Sequence, residues 1–223
     1  MQRRIIAPTS TGCALLPCLL SCSITRSRKR FTAVISGSTH CANIPGILLD
    51  LVRREKIDTI VLGASWAGYG GATMQIERDG KRISLTEPEG RDAFYASLED
   101  YVRLLQGQGA KVYLVLGVPA DLFRFDPNHM ITRGLTGFKV SPGADKDVPV
   151  AELRAAYAKT DPRLRSIAEN TGAILLDAFP DVCGGGDGCS PFFGTAEPKY
   201  VDGLHLRPAF VREQVHFLDF LLK

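Results

Sequence analysis

The sequence lacks the features that would assign a function at first sight. Its 223 residues contain no stretch of eighteen or more continuous apolar residues, which excludes a membrane-spanning helix among them. The net charge is only +3, and the basic residues form no stripe, so no nucleic-acid partner is indicated. The one basic run, residues 26–30, is typical of a solvated loop.

The six cysteines do not fit a metal site. Spacings of four and five intervening residues differ from those of paired zinc ligands, and no histidine pair complements them. Cys183 and Cys189 enclose Gly-Gly-Gly-Asp-Gly, and the glycines permit the tight path that a disulfide needs. We expect this pair to be bridged, which favours an oxidising compartment. Reduced thiols in a cytosolic protein are the alternative.

Short apolar runs alternate with amphipathic stretches, which predicts a single α/β domain over residues 1–223. A helix precedes each of the three clearest strands, so right-handed crossovers predict a mostly parallel sheet in a three-layer α/β/α sandwich. Residues 68–90 and 123–149 are expected to be irregular. The predicted strands are 59–64, 111–117 and 173–177, with lesser candidates at 3–7 and 31–35; the predicted helices are 43–55, 91–106, 150–170 with a break at Asp161-Pro162, and 207–222.

The most informative segment is residues 200–208, Tyr-Val-Asp-Gly-Leu-His-Leu-Arg-Pro. Asp202 precedes His205 by three residues on a predicted loop, and Pro208 opens the last helix. A carboxylate held against one imidazole nitrogen fixes the tautomer, so that the other nitrogen can act as a general base. A surface acid and histidine without a role is the alternative. The other histidines, in less suggestive contexts, are His40, His129 and His216.

Two further segments are candidates for the reacting centre. Gly63 stands at the end of a predicted strand and Trp66 follows it, at a turn where backbone N–H groups can serve an oxyanion and the indole can line a pocket. A core position is the ordinary alternative for a lone tryptophan. Ser38 follows the strand candidate at 31–35 and precedes a helix, which is a reasonable nucleophile geometry. It lacks the acidic residue expected before such a serine, and a helix-capping role competes.

Together these segments resemble the periplasmic SGNH domain that is fused to membrane acyltransferases of the acyltransferase-3 type. The resemblance covers nearly the whole chain and implies an SGNH-hydrolase-like fold, with Asp202 and His205 as catalytic acid and base. Cys13 with Cys41 is a second expected disulfide. The matching segments are Ser10 to Cys13, Cys41 to Asn43, Asp58 to Trp66, Asp181 to Cys183, Cys189, and Asp202 to His205.

In that family a Gly-Asp-Ser-His block lies upstream of the segment that matches Ser10 to Cys13, and no Gly-Asp-Ser occurs in this chain. We therefore expect a domain that is incomplete at its N-terminus and impaired in catalysis, through truncation, gene-start misassignment or degeneration. The resemblance implies acyl transfer or ester hydrolysis on O-acyl groups of cell-envelope polysaccharide, and it implies no metal and no organic cofactor. It also implies a periplasmic or other extracytoplasmic location, with an acyl donor and a membrane acyltransferase domain as partners.

Two other interpretations remain open. The chain can be a non-catalytic remnant of such a domain that binds carbohydrate or a partner protein. It can also be a small lipoprotein anchored through Cys22, since residues 19–22 loosely match a lipoprotein cleavage box.

Overall fold

The computed structural model describes residues 23–24, 31–32, 44–70, 74–78, 81–134, 137–141, 143–195 and 197–222. Its strands are β1 (Ser23–Ile24), β2 (Phe31–Thr32), β3 (Thr59–Leu62), β4 (Gln75–Arg78), β5 (Lys81–Ser84), β6 (Lys111–Val115), β7 (Ile131–Gly134), β8 (Gly137–Val140), β9 (Val148–Pro149), β10 (Ile174–Leu176), β11 (Gly188–Cys189), β12 (Phe192–Phe193) and β13 (Glu197–Pro198). Its α-helices are α1 (Ile44–Glu55), α2 (Pro88–Gln106), α3 (Pro127–Met130), α4 (Val150–Ala155), α5 (Asp161–Thr171), α6 (Phe179–Cys183) and α7 (Pro208–Gln214).

A parallel sheet of three strands, in the order β10-β6-β3, forms the centre of the domain. Thr59 of β3 pairs with Lys111 of β6, and Ile174 of β10 pairs with Tyr113 of β6. Each strand follows a helix, as the alternating sequence pattern predicts. The mixed α/β class with a parallel sheet is therefore confirmed.

The main core lies where helices α1, α2 and α5 cover this sheet. Val102 and Leu105 of α2 are completely buried, as is Leu114 of the central strand β6. Burial of a side chain of this size stabilises the fold by about 1.5–3 kcal/mol. The sheet thereby gives a rigid base for the loops that leave its carboxyl edge.

A second buried cluster lies among the connections that follow β6 and β10. It includes the aromatic rings of Phe125, Phe179, Tyr200 and Phe210, together with the Cys183–Cys189 disulfide. The predicted disulfide is thus present, and it joins α6 to β11. Because Tyr200 belongs to this cluster, the segment that carries Asp202 and His205 starts from a buried anchor.

The expectation that residues 68–90 and 123–149 are irregular is wrong for much of both ranges. Strands β4 and β5 form an antiparallel hairpin in which Ile76 pairs with Ile83, and β7 pairs with β8 in the same way. The side chain of Ile76 is buried. A half-buried hairpin alternates apolar and polar residues. That alternation is present in the sequence around Ile76 and Ile83, but the glycines in the same range suggested a loop.

The strand candidate at 31–35 is not part of the parallel sheet. Phe31–Thr32 forms β2 in a separate antiparallel sheet of the order β1-β2-β4-β5. The candidate at 3–7 lies outside the described residues, as do Ser38, Cys13, Cys22 and Cys41.

The last helix is shorter than expected. Helix α7 ends at Gln214, and a 3-10 turn follows at Asp219–Leu222. The backbone N–H groups of His216 and Phe217 donate to the carboxylate of Asp181, each at 2.6 Å, instead of continuing the helix. The predicted break at Asp161-Pro162 is confirmed, since α4 and α5 are separate helices and Pro162 stands in the first turn of α5.

A candidate acid–histidine site

Residues 199–207 form a small closed loop that presents Asp202 and His205. The N–H of Val201 donates to the carbonyl of His205 at 2.8 Å, and the N–H of Arg207 donates to the carbonyl of Lys199 at 2.7 Å. Gly203 stands at the tip with a φ of +71°, a conformation that glycine adopts without strain. These contacts hold the two side chains on one short piece of backbone.

The imidazole of His205 is hydrogen-bonded to the carboxylate of Asp202. The Nδ1 atom lies 2.9 Å from Oδ1 and 2.8 Å from Oδ2, and Oδ1 also accepts the N–H groups of His205 and Leu204. Because Asp202 occupies Nδ1, the bond favours the tautomer whose Nε2 lone pair is available to a nucleophile. Both side chains are exposed, so solvent and substrate can reach them.

The same contacts act on the acidity of Asp202. Partial burial works to raise its pKa, but the hydrogen bonds from the His205 backbone, the His205 ring and the Leu204 backbone outweigh it, and the pKa is lowered. Asp202 is therefore ionised at neutral pH and can stabilise a positive charge on the imidazole.

The loop lies at the carboxyl edge of the parallel sheet. The chain leaves β6 at Val115, and the N–H of Asp121 then donates to the carbonyl of Gly203 at 3.1 Å. The hydroxyl of Tyr200 donates to the carbonyl of Pro119, and the ring of Tyr200 stacks on Phe125 with 4.8 Å between centroids. Ligand sites of parallel α/β sheets lie at this edge.

Trp66 follows β3 at the same edge, but it belongs to the core. Only 1 % of the residue is exposed, and its Nε1–H donates to the carbonyl of Val115 at 2.7 Å. Its own backbone N–H donates to the carbonyl of Ala64 at 2.9 Å. The indole therefore fastens the ends of β3 and β6 to each other and offers no donor to a ligand. Gly63 is partly buried beside Val115, and an oxyanion role for Gly63 stays a prediction.

Exposed apolar side chains lie on the loop that carries the acid–histidine pair and on the turn bonded to it, a feature that the sequence analysis did not identify. Two segments, 121–123 and 201–204, are joined by the bond between Asp121 and Gly203. They carry four of the five most exposed large apolar side chains in the described part of the chain, which are Leu122, Phe123, Val201 and Leu204. Contiguous exposed apolar surface commonly contacts a ligand or partner, so these two segments are a candidate contact surface.

The described residues supply an acid and a base without a nucleophile beside them. In this part of the chain, the hydrogen bonds of the His205 ring go only to Asp202. Ser38, the local candidate for the nucleophile, is outside the described residues. No group of three His, Cys, Asp or Glu side chains suited to a metal occurs among the described residues.

The parallel sheet, with an acid–histidine pair at its carboxyl edge, is typical of α/β hydrolytic and acyl-transfer domains. Comparison with protein families is more specific. A model of the family described as SGNH domain (fused to AT3 domains) matches residues 2–218. The chain therefore belongs to this family, and its architecture is that of an SGNH-hydrolase-like domain.

One similar solved structure is the periplasmic domain of a lipopolysaccharide acetyltransferase from Salmonella ser. Paratyphi A. The two chains share 12 % sequence identity with a TM-score of 0.47, and the match covers 82 % of this chain. It spans 64 % of the Salmonella chain. No match was found among curated proteins. In the part of the chain that the structure describes, no helix is long and apolar enough to cross a membrane.

Proposed function

We propose that this chain is an extracytoplasmic domain for acyl transfer or ester hydrolysis on O-acyl groups of cell-envelope polysaccharide, and that it works with a membrane acyltransferase domain. The observation that carries the proposal is the hydrogen-bonded pair of Asp202 and His205 at the carboxyl edge of the sheet, in a member of the SGNH family. The disulfide between Cys183 and Cys189 supports an oxidising, extracytoplasmic location.

The chemistry follows from the pair once a serine is in place. His205 Nε2 takes the serine proton as the oxygen attacks the ester carbonyl, and the same proton then passes to the leaving alcohol. In the second half, His205 deprotonates the acceptor, a sugar hydroxyl or water, as the acceptor attacks the acyl-serine. The imidazolium then returns this proton to the serine oxygen as its bond to the acyl group breaks. Asp202 keeps the imidazole in the required tautomer and stabilises the imidazolium.

The nucleophile limits this scheme. The chain contains no Gly-Asp-Ser block, and Ser38 lacks the acidic neighbour typical of such a serine. We propose that the chain as given is a poor catalyst, because loss of a triad member removes several orders of magnitude in rate. Asp202 and His205 are then the acid and base of a reaction that also needs a serine nucleophile.

The test is turnover of an activated acetyl ester by the purified chain and by three variants. His205→Ala removes the base, Ser38→Ala removes the local candidate nucleophile, and His216→Ala is the matched control. His216 also contacts an aspartate three residues away, with Nδ1 at 3.1 Å from Asp219 Oδ2, and it is similarly exposed. We expect near-background rates from all four proteins.

Two other results would change the conclusion. Robust turnover that both His205→Ala and Ser38→Ala abolish would identify Ser38 as the nucleophile and contradict the impairment. Robust turnover that survives His205→Ala but not His216→Ala would reject the Asp202–His205 site altogether. A chain extended by any in-frame Gly-Asp-Ser sequence upstream of Met1 should gain turnover that depends on His205.

A non-catalytic domain that binds carbohydrate is the second candidate function. The exposed apolar group around the pair favours it, because it offers a contact surface that needs no serine. Calorimetric titration with O-acetylated oligosaccharide separates the two functions. Saturable binding of the oligosaccharide would support the non-catalytic function if the chain extended by a Gly-Asp-Ser segment also lacks turnover.

A further inference from the structure

We propose that Asp121 is a positioning residue that sets the place of the Asp202–His205 pair through the backbone of Gly203. Its importance for catalysis rests on the proposed function, whereas its effect on the imidazole of His205 can be measured without any turnover. Asp121 stands on the connection between β6 and α3, some eighty positions before the pair, and no sequence motif identifies it.

The carboxylate of Asp121 shapes the turn that supports the loop. Oδ1 accepts the N–H groups of Phe123 at 3.0 Å and Arg124 at 2.7 Å, while Oδ2 accepts Nε–H of Arg124 at 2.8 Å. A carboxylate with three such donors closes the turn as a local cap. Its side chain is only 17 % exposed, so its ion pair with Arg124 is screened less than a pair at the open surface.

Arg124 is itself held from the other side. Its NH1 and NH2 groups donate to Oε2 and Oε1 of Glu152 at 3.1 and 2.7 Å, a bidentate pair with helix α4. Bidentate arginine–carboxylate contacts fix direction as well as distance. The turn at 121–124 is thereby fastened to α4 rather than left as an isolated loop.

The backbone of the turn at 121–124 contacts the tip of the loop at 199–207 directly. The N–H of Asp121 donates to the carbonyl of Gly203, and Gly203 is buried against residues 121 and 122. A Cβ atom on Gly203 would stand 2.6 Å from the carbonyl oxygen of Asp121 and 3.0 Å from the Cα of Leu122. Since Gly203 lies between Asp202 and His205, a movement of the turn moves both side chains.

The charge state of Asp121 agrees with this role. Burial works to raise its pKa, but the hydrogen bonds from the Arg124 backbone and side chain and from the Phe123 backbone prevail, and the pKa is lowered. The carboxylate is therefore ionised over the neutral range and keeps its bond to Arg124.

The experiment compares Asp121→Asn with Asp202→Asn by nitrogen-15 NMR of the His205 ring. Asparagine keeps an oxygen for the two backbone N–H groups but removes the charge that holds Arg124. The matched control is Asp177→Asn, because Asp177 also accepts one backbone N–H, that of Phe179 at 3.0 Å, and one arginine, Arg154 at 2.8 Å. None of its described hydrogen bonds or ion pairs reaches residues 200–206.

The readout is the fraction of neutral His205 in the Nδ1–H tautomer, which a purely structural loss of stability does not move. Asp202→Asn should shift it to the mixture of a free imidazole. We expect Asp121→Asn to produce about half of that shift or more, and Asp177→Asn to leave the fraction unchanged. Unchanged signals in Asp121→Asn, or an equal shift in Asp177→Asn, would overturn the proposal.

A second variant covers the case in which Asp121→Asn fails to fold, as judged by the His216 signals and thermal unfolding. Glu152→Gln weakens the same chain of contacts at an exposed carboxylate, and it should shift the fraction in the same direction by a smaller amount. No shift in that variant would count against the proposal. Since no substrate is present, a chain without turnover leaves this result intact. In an extended chain that does show turnover, loss of turnover in Asp121→Asn with an unmoved His205 ring would overturn the positioning role and leave the proposed function standing.

Discussion

Substitution of Gly203 by alanine tests the close contact that supports the acid–histidine pair. Gly203→Ala should lower the free energy of unfolding through two effects, the left-handed backbone conformation and the contact with Asp121. Alanine in the left-handed region costs about 1–2 kcal/mol relative to glycine. The new Cβ would also stand 2.6 Å from the carbonyl oxygen of Asp121, and because this is backbone, the loop itself must move. Loss of the Asp121–Gly203 hydrogen bond adds about 1–2 kcal/mol, for a total of about 2–4 kcal/mol.

The matched control is Gly172→Ala. Gly172 caps α5 with a φ of +73°, nearly the same as the +71° of Gly203, but a Cβ there would meet nothing within 4 Å. Gly172→Ala therefore reports the backbone cost alone. With an m value of about 3 kcal/mol per molar urea, the midpoint should fall by about 0.5 M for Gly172→Ala and about 1 M for Gly203→Ala. Equal shifts would show that the contact with Asp121 does not constrain the loop, and our account of its support would be refuted.

Three further predictions concern other parts of the fold. Asp202→Asn should lower the free energy of unfolding by at most about 1 kcal/mol at pH 7, since the carboxylate is half exposed. Because the pKa of Asp202 is lowered in the folded protein, the difference between wild type and variant should disappear as the pH falls through that pKa, which urea titrations at several pH values measure. Replacement of both Cys183 and Cys189 by serine should cost about 2 kcal/mol for so short a loop, or about 4–8 °C in Tm, and a reductant should lower the Tm of the wild type but not of the variant. Trp66 is the single tryptophan, so its buried fluorescence should resist iodide in the folded protein and be quenched in urea; quenching in the folded state would show an accessible indole.

The parallel sheet was predictable because its signals are local. The run Thr59–Leu62 is β-branched or apolar throughout, and an amphipathic helix precedes it within a few residues. The same holds for Lys111–Val115, where Val112 and Leu114 point into the main core. Periodicity and short connections are sufficient for such units, and they also place the carboxyl edge.

The hairpin at 75–84 was predictable in principle, but the number of glycines in this range was given more weight than the apolar–polar alternation. Ile76 and Ile83 lie among charged and polar residues in the alternation of a half-buried hairpin, and Asp79-Gly80 is a typical turn dipeptide. The number of glycines across 68–90 suggested an irregular loop instead. The sequence therefore contained the signal for the hairpin, and the error was to prefer the signal for a loop.

The end of α7 and the role of Asp121 were not predictable in the same way. Asp181 captures two backbone N–H groups that lie more than thirty positions further along the chain, and this contact exists only after the fold has formed. The approach of Asp121 to Gly203 is likewise non-local. Sequence periodicity reports which residues are buried, whereas such polar contacts depend on which loops meet.

Spacing alone does not distinguish the candidate site, and the chain itself provides the comparison. Within the described residues, three histidines contact an aspartate three residues away: His129 with Asp126 at 3.6 Å, His205 with Asp202 at 2.8 Å, and His216 with Asp219 at 3.1 Å. Asp126 caps helix α3, and the ring of its partner His129 is occupied by Phe123. His216 follows a helix that has already ended. The pair around Gly203 instead lies on a loop whose backbone is bonded to the connection that leaves the central strand, through the N–H of Asp121 and the hydroxyl of Tyr200. That attachment, together with the family match and not the mere presence of an acid near a histidine, is the reason we propose acyl-transfer chemistry for Asp202 and His205.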